Sequence, residues 1–251
     1  MAVYNIYFSP TGGTKKVSDT VALSLSENKI DIDLMKKKDF GQYFSGEDIC
    51  VISVPAYGGR VPANALEKIK TFKSSGAKTI IVAVFGNREI DDTLVELNDI
   101  VVSLGFKVIA GIEAVAEHSL ARIYAPGRPD KDDRQEIKMF AKQINEKIHN
   151  EEFTKIELPG NHPYKEFKSS AMSLVVEDTC VDCKKCAYEC PVCAISLENV
   201  KILDTEKCFS CMHCTSICPK NARHNSAELS KKIEERLHDV CTKRKKNKLY
   251  I

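Results

Sequence analysis

Ten of the 11 cysteines in this 251-residue chain lie between residues 180 and 241, and eight of them form two runs of equal spacing. Each run reads C-x2-C-x2-C-x3-C-P, and the second repeats the first 28 residues later. The runs are Cys180, Cys183, Cys186 and Cys190, then Cys208, Cys211, Cys214 and Cys218. Thiolates suit iron in a sulfide cluster, and cysteines at every third residue direct three sulfurs at one cube. The pattern therefore predicts two 4Fe-4S clusters.

The fourth cysteine of each run is carried away by the following proline turn and is expected to serve the other cluster. The predicted ligand sets are Cys180, Cys183, Cys186 and Cys218 for one cluster, and Cys208, Cys211, Cys214 and Cys190 for the other. Zinc is the alternative, but structural zinc sites use paired C-x2-C units rather than duplicated four-cysteine runs. Cys193 is expected to be a spectator because its counterpart is Asn221, whereas Cys50 and Cys241 are expected to pack in apolar cores.

A second chemical pattern, Ser9-Pro10-Thr11-Gly12-Gly13-Thr14, follows the first apolar run and precedes a predicted helix. Backbone N–H groups at a helix N-terminus, together with three hydroxyls, favour a bound phosphate. The segment lacks the Lys-Ser/Thr of a Walker motif and the G-x-G-x-x-G of a dinucleotide site, so it points to neither. A plain glycine-rich turn is the alternative, and the neighbouring loops decide between the two.

The elements that must position these residues alternate along the first 148 residues. Apolar runs predict strands at 3–8, 30–34, 49–54, 79–85 and 107–115, and amphipathic stretches predict helices at 14–25, 62–72, 91–104 and 130–148. Such alternation predicts an α/β fold with a doubly wound, five-stranded parallel sheet. Ligands of such sheets bind beyond the carboxyl ends of the strands, so the loops after the strands are the candidate site.

Loops 55–62 and 86–92 are expected to join the first turn at this edge, with an aromatic side chain on a glycine-rich segment. A monophosphate with a flat ring, FMN, fits this arrangement, because its phosphate would lie on the turn and its ring between the loops. An exposed loop aromatic is the alternative for Tyr57, and a solvated charge for Arg88. The FMN-binding residues predicted from the turn and loops are Ser9, Thr11, Gly12, Gly13, Thr14, Pro55, Ala56, Tyr57, Gly58, Gly59, Gly86, Asn87, Arg88 and Asp92.

From about Ser173 to Asn225 the chain resembles bacterial two-cluster ferredoxins at all eight ligand positions and both prolines. Together with the turn at 9–14 and the loops at 55–62 and 86–92, this region makes the whole chain resemble the flavodoxin–ferredoxin fusion family of anaerobic prokaryotes. The further segments that carry this resemblance are Glu117-His118-Ser119 and Gly127-Arg128-Pro129-Asp130. The resemblance implies low-potential electron transfer and adds His118 and Ser119 to the flavin site. His118 is the one candidate catalytic residue, with a structural role as its alternative. Where the family commonly carries a tyrosine this chain has Ile90, and Tyr124 is the expected substitute.

Four segments follow from these patterns. They are a flavodoxin-like FMN domain at 1–149, a connector at 150–170, a small α+β ferredoxin domain with two 4Fe-4S clusters at 171–225, and a C-terminal helix with a basic tail at 226–251. The connector is expected to lie along the first domain through apolar anchors around its Pro-Gly-Asn-His-Pro centre. Residues 243–248 are expected to form the solvated end of the helix, with docking to an acidic redox partner as the alternative.

Composition excludes several classes of protein. Lys and Arg number 37 against 35 Asp and Glu, which gives no overall case for nucleic acid binding. The apolar runs are too short for a membrane span, and the start does not resemble a signal peptide, so a cytoplasmic location is expected. The predicted function is an electron carrier that joins FMN, the clusters and a redox protein partner, with a homodimer as one further expectation. The alternatives are a flavin-dependent reductase fed by the clusters, and a ferredoxin whose flavodoxin-like domain lacks flavin and serves only for docking.

Overall fold

The fold is built on one six-stranded sheet, seen in a computed structural model that describes residues 2–37, 40–151, 153–167 and 174–251. In chain order the elements are β1 Val3–Tyr7, α1 Gly13–Leu25, β2 Ile30–Asp33, β3 Tyr43–Phe44, β4 Ile49–Pro55, α2 Ala63–Ile69, β5 Lys73–Ser74, β6 Lys78–Phe85, α3 Thr93–Ser103, β7 Lys107–Val115, α4 Lys131–His149, β8 Leu174–Val176, α5 Lys185–Tyr188, α6 His213–Ser216, β9 Arg223–Asn225, α7 Ala227–Cys241 and β10 Lys248–Tyr250. Within the described ranges, no helix combines the length and apolar character needed to cross a membrane.

The large sheet has the order β10-β7-β6-β4-β1-β2, and the five strands from β1 to β7 within it are parallel. Numbered among themselves along the chain, these five have the order 2-1-3-4-5, which is the flavodoxin-like arrangement. The strand order reverses between β1 and β4. This reversal opens a crevice at the carboxyl edge, where the predicted turn and loops lie.

The central strands are buried on both faces, as a parallel sheet covered by helices requires. Consecutive residues of one strand lie in different cores on the two faces of the sheet. Ile80 of β6 packs with α1 and α4, whereas Ile81 packs with α2 and α3. The predicted strands and helices of this domain are confirmed to within a few residues. The short parallel pair β3 and β5 was not predicted. Phe44 of β3 packs in the same core as Ile81.

The C-terminal tail is the main departure from the predicted architecture. After α7 the chain returns to the large sheet, where β10 pairs antiparallel with β7. Arg244 Nη1 lies 2.9 Å from Asp130 Oδ2, and Lys248 Nζ lies 3.2 Å from Glu113 Oε2. The prediction of a helix end at 243–248 is therefore wrong, because α7 ends at Cys241 and Lys248 begins β10, which covers the open edge of β7. Lys243, Arg244, Lys246 and Lys248 are nevertheless exposed, as a solvated segment requires.

Asn247 fixes this tail and gives a stability prediction. Its Oδ1 accepts the N–H of Val115 at 2.9 Å, and its Nδ2 donates to Asp133 at 3.1 Å and Glu136 at 2.6 Å. Asn247→Ala strands these buried groups, so we expect the free energy of unfolding to fall by about 1 to 3 kcal/mol. Anaerobic urea unfolding measures the loss, with the exposed Lys246→Ala as the control. Equal midpoints for the two variants would contradict this role.

The connector lies against the first domain, as expected. Asp92 accepts the N–H of Asn161 at 2.9 Å and that of Lys165 at 2.7 Å. Burial alone would raise the pKa of Asp92, but these donors outweigh it and lower the pKa. Tyr164 donates its hydroxyl to Asp99 at 2.5 Å. The predicted boundary between connector and ferredoxin domain, at residues 170 and 171, lies outside the described residues.

The two cysteine runs adopt the same backbone. Lys184 and Met212, which are 28 residues apart, both have left-handed φ values, of 58° and 61°, and each precedes a four-residue helix. Cys193 and its counterpart Asn221 share a φ of 51°. Asparagine tolerates this conformation well, so the position is set by backbone shape and takes either residue. The internal duplication of the sequence is thus a duplication of structure.

Candidate functional site

Eight cysteines surround two small cavities in the C-terminal part of the chain. Cys180, Cys183, Cys186 and Cys218 line the first. Cys190, Cys208, Cys211 and Cys214 line the second. These are the two ligand sets predicted from the cysteine runs, and their role as iron ligands stays a prediction. Cys193 is exposed and lines neither cavity, whereas Cys50 and Cys241 are buried in apolar cores, as expected.

The arrangement of these cysteines suits a polynuclear cluster. Among the described residues, no three His, Cys, Asp or Glu side chains are close enough to hold one metal ion. Four cysteines line each cavity, which is the donor set expected for a 4Fe-4S cluster. Ala194 N donates to Cys190 Sγ and Ala222 N to Cys218 Sγ, each at 3.3 Å. Such N–H donors stabilise the negative charge of a bound thiolate.

The two cavities differ in charge. The lining of the first includes four cationic residues, Lys184, Lys185, Lys220 and Arg223. The described lining of the second includes no Lys, Arg, Asp or Glu, and its polar residues include Ser210 and His213. The first cysteine cavity is therefore lined by cationic side chains, whereas the second experiences positive charge mainly through Arg223, which acts on Cys214.

A larger cavity of about 320 Å³ opens at the carboxyl edge of the large sheet. It is enclosed by the loops that follow β1, β4, β6 and β7. The predicted flavin-site residues in its lining are Thr11, Gly13, Thr14, Pro55, Ala56, Tyr57, Gly58, Gly86, Arg88, His118 and Ser119. The structure thus brings together most of the residues that the sequence assigns to FMN.

The first turn presents donors to this cavity. Ser9 Oγ accepts the N–H of Lys15 at 2.8 Å, and Gly12 O accepts that of Lys16 at 3.1 Å, with a left-handed φ of 88° at Gly12. Ser9 and Gly12 therefore shape the turn without lining the cavity. The N–H groups of Gly13 and Thr14 begin α1 and find no acceptor in the described part of the chain. An anion is the natural partner for such groups.

A smaller adjoining cavity near this turn is lined by three cationic residues. It shares Thr11, Gly13, Glu117 and Ser119 with the larger cavity. Its lining also includes Lys16 and Arg122, which sequence reasoning did not select. Lys16 follows the turn by two residues, so its place in the first turn of α1 was a usable indication. Arg122 lies in the long loop after β7, and no pattern in the sequence marks it.

His118 lies against the loop after β6. Its Nδ1 accepts the N–H groups of Leu120 and Ala121, each at 3.2 Å, which places the ring proton on Nε2. Burial, followed by the charges of Arg88 and Arg236, lowers the pKa of His118 to about 4. A Cβ on Gly86 would come within 2.7 Å of the His118 ring, so glycine is needed there. His118 is therefore a neutral N–H donor at the cavity wall near pH 7.

Three predicted flavin-site residues have other roles. Asn87 donates to the carbonyls of Cys241 and Lys243, at 2.6 and 2.9 Å, and holds the C-terminal tail. Asp92 holds the connector, as described above. Gly59 shapes its loop, because a Cβ there would collide with the Asp91 carboxylate. Asn87, Asp92 and Gly59 do not line the cavity, and their assignment to a flavin site stays a prediction.

The expected substitution of Tyr124 for a ring-stacking residue is also wrong. Its hydroxyl donates to Glu234 O at 2.6 Å, and its ring packs in a core with Ile233 and Leu237. Ile90 is buried in the core beneath the sheet. The aromatic residues that line the cavity, besides Tyr57, are Phe85, Phe167 and Phe209.

Phe209 comes from the second cysteine run, so the ferredoxin segment forms one wall of the large cavity. Its ring centroid lies 6.4 Å from that of Tyr57. The Tyr57 hydroxyl donates to Cys211 O at 3.3 Å, and burial raises the pKa of Tyr57 well above its usual value. His213 Nδ1 donates to Pro10 O at 2.7 Å. The sequence shows an aromatic residue between Cys208 and Cys211, but it does not show that this residue lies beside Tyr57.

The strand order and the paired cysteine cavities define a flavodoxin-like fold joined to a ferredoxin-like segment. No family model matches the chain. Over 52 residues, 18% of this chain, it is 35% identical to a ferredoxin-like protein in the nif region of Sinorhizobium fredii, and covers 81% of that protein. Through this segment, the chain belongs to the ferredoxin-like family.

A second relative, from Methanosarcina acetivorans, matches part of the chain. Over 56 residues, 22% of this chain, it is 43% identical to one subunit of an ion-translocating oxidoreductase complex of that organism. The match spans only 21% of the relative's length.

Solved flavodoxins resemble the N-terminal part. A flavodoxin of Streptococcus pneumoniae TIGR4 is 18% identical, with a TM-score of 0.42, over 59% of this chain and 99% of its own. Oxidised flavodoxin 1 of Bacillus cereus is 15% identical, with a TM-score of 0.42, over 58% of this chain and 98% of its own. The class is defined by the strand order described above, independently of these likenesses.

Proposed function

We propose that this protein carries electrons between two 4Fe-4S clusters and FMN within one chain, and exchanges them with a separate redox protein. The observation that carries this proposal is the shared wall: Phe209 and Ser210 line both the large cavity and the second cysteine cavity. A flavin in the first and a cluster in the second would therefore be neighbours. FMN accepts one or two electrons and the clusters one each, so the pair converts between the two modes.

The large cavity suits FMN in both of its parts. The orphan N–H groups of Gly13 and Thr14, the Thr11 and Thr14 hydroxyls and the nearby Lys16 suit a terminal phosphate. Tyr57 and Phe209 offer aromatic surface for the flat ring. The hydrogen bond from Tyr57 to Cys211 O and the packing of Phe209 beside Tyr57 hold that surface in place.

The order of the centres follows from the same contacts. The Cys190, Cys208, Cys211 and Cys214 site adjoins the flavin cavity through Phe209 and the Tyr57–Cys211 hydrogen bond. Among the described residues, none that lines the first cysteine cavity also lines the large cavity. We therefore place the second cluster between the flavin and the first cluster, so that the first cluster is the outer one.

Cofactor analysis after anaerobic purification tests the proposal. We expect about eight iron atoms, about eight acid-labile sulfides and one FMN per chain. Flavin released by denaturation is identified by chromatography against FMN, FAD and riboflavin. Iron without flavin would favour the docking-domain alternative, and zinc in place of iron would overturn the cluster assignment.

Thr14→Ala tests the phosphate cradle. Thr14 is buried at the start of α1, and its hydroxyl can add a charge-assisted hydrogen bond to a phosphate. Loss of such a bond costs about 1.5 to 3 kcal/mol, so we expect FMN to bind roughly ten- to a hundredfold more weakly. Fluorescence titration of the apoprotein measures this, and riboflavin, which has no phosphate, is the control. If the wild type bound riboflavin and FMN with equal affinity, the turn at Ser9–Thr14 would not be a phosphate-binding site.

The reductase alternative depends on a proton donor beside the flavin. His118 is the candidate, but its pKa of about 4 leaves it neutral near pH 7. A neutral Nε2–H orients a ligand by donating a hydrogen bond and is a weak acid. The wall shared by the two cavities therefore favours electron transfer, with His118 as a flavin-binding group. The relation to a component of an oxidoreductase complex supports a protein partner, and nothing in the comparisons points to a homodimer.

A further inference from the structure

The first cluster site opens to solvent through its own cysteine loop. Cys183 is exposed, and the neighbouring Val181 is 59% exposed. On the second site, Cys190 is buried, and the Cys211 carbonyl is bonded to Tyr57. Electron exchange between proteins requires close approach, so a partner would reach the first cluster far more easily than the second.

Three lysines surround this opening. Lys185 and Lys220 are exposed and Lys184 is partly exposed, and all three line the first cavity. The acid that pairs with them is Asp182, whose Oδ2 lies 3.9 Å from Lys184 Nζ. The described lining of the first cavity contains no Asp or Glu, and Glu177, Asp178 and Glu189 contact His224, Lys201 and His213 respectively. The opening is therefore an apolar and thiolate centre with a cationic rim.

Three of the five basic residues of the tail are held in ion pairs. Arg244 pairs with Asp130, Lys245 with Glu89 and Lys248 with Glu113. These ion pairs hold the tail on acids of the flavodoxin-like domain. An acidic partner would have to compete with those acids, whereas the lysines around Cys183 keep most of their positive charge unneutralised.

We propose that an acidic one-electron carrier protein docks on the first-cluster face, defined as Val181, Cys183, Lys184, Lys185 and Lys220. The inference rests on the proposed function, because the face matters only if a cluster lies beneath it. In the docked complex one electron leaves the reduced carrier and enters the oxidised cluster. The carrier is oxidised by one electron and the cluster reduced by one, with no bond or proton transferred.

Charge selects this occupant. A cationic rim steers an acidic protein to the face and raises its association rate by about ten- to a thousandfold at low salt. Transient redox complexes have small interfaces, and a small apolar centre such as Val181 suits rapid release. A basic partner would be repelled by the same three lysines.

Two variants with the same change in net charge test the proposal. One is Lys184→Gln/Lys185→Gln/Lys220→Gln, and the matched control is Lys207→Gln/Lys231→Gln/Lys246→Gln, whose lysines are exposed and line neither cluster cavity. Stopped-flow mixing with reduced plant-type ferredoxin, an acidic one-electron carrier, gives the second-order rate of cluster reduction. We expect the first variant to be about ten- to a hundredfold slower than wild type at low salt, and the control within about twofold. At high salt the three rates should converge.

Dithionite titration separates the failure of this inference from failure of the proposed function. If dithionite reduces no cluster in wild type, the proposed function fails. If it reduces both clusters in every variant while the two triple variants slow equally with ferredoxin, net charge alone acts and the face is not the docking site. Unchanged ferredoxin rates in both variants would also overturn the inference.

Discussion

Cys190→Ser is expected to remove one complete cluster and leave the other intact. Cys190 is buried at the second cavity, although it belongs to the first cysteine run. Its substitution takes the fourth ligand from the cluster that Cys208, Cys211 and Cys214 would hold. We expect iron to fall from about eight to about four per chain, because each cubane contains four irons. Iron and sulfide analysis, with electron paramagnetic resonance of the reduced protein, measures the loss.

Three further variants make this result specific. Cys193→Ser, in the same loop but exposed and outside both cavities, should keep both clusters. Cys218→Ser should remove the other cluster, and its spectrum should complement that of Cys190→Ser. Cys190→Ala excludes ligation by a serine oxygen. Loss of a cluster in Cys193→Ser, or loss of both in Cys190→Ser with flavin retained, would show that the ligands are divided differently.

Flavin reduction through the clusters is expected to be independent of protein concentration. Phe209 and the Tyr57–Cys211 hydrogen bond hold the second cysteine run against the large cavity, and His213 donates to the carbonyl of Pro10 in the turn at Ser9–Thr14. The connector's bonds to Asp92 fix the same arrangement. Transfer within one chain is therefore first order, and dilution of the protein over a wide range should leave its rate unchanged.

Removal of the second cluster should break this path. With limiting reduced ferredoxin, Cys190→Ser should still accept electrons at the first cluster, but flavin reduction should be slower by at least about a hundredfold. Stopped-flow absorbance follows both centres, and NADH alone should reduce neither, since the chain has no dinucleotide motif. A wild-type rate that falls in proportion to dilution would mean transfer between chains. Unimpaired flavin reduction in Cys190→Ser would contradict the order of the clusters.

The sequence by itself determined the parts that depend on local spacing. Cysteines at every third residue lie on one short loop, so the groups around each cavity follow from the motif and its duplication. The alternation of apolar runs and amphipathic stretches predicts the parallel strands, because periodicity and burial act over a few residues. The turn at Ser9–Thr14 was recognisable for the same reason, since strand, turn and helix are consecutive in the chain.

Only the tertiary structure decided which residues meet across long stretches of chain. Asn87 and Asp92 follow a strand at the ligand edge, yet they bond to the C-terminal tail and the connector rather than lining the cavity. The lysine-rich tail has the composition of a solvated helix end, yet Asn247 and β10 complete the sheet. In each case a polar side chain forms a hydrogen bond with a backbone group that lies far away in the sequence.

The contact between the two cofactor sites is the clearest example. Tyr57 and Cys211 are 154 residues apart, and Phe209 reaches the flavin cavity from a different domain. The local sequence patterns identify Tyr57 and Cys211 separately but do not show that the two residues meet. Their contact depends on how two surfaces pack together, which involves the shapes and buried groups of both. The sequence thus predicted iron–sulfur and flavin sites, and only the tertiary structure shows that the second cysteine cavity adjoins the large cavity.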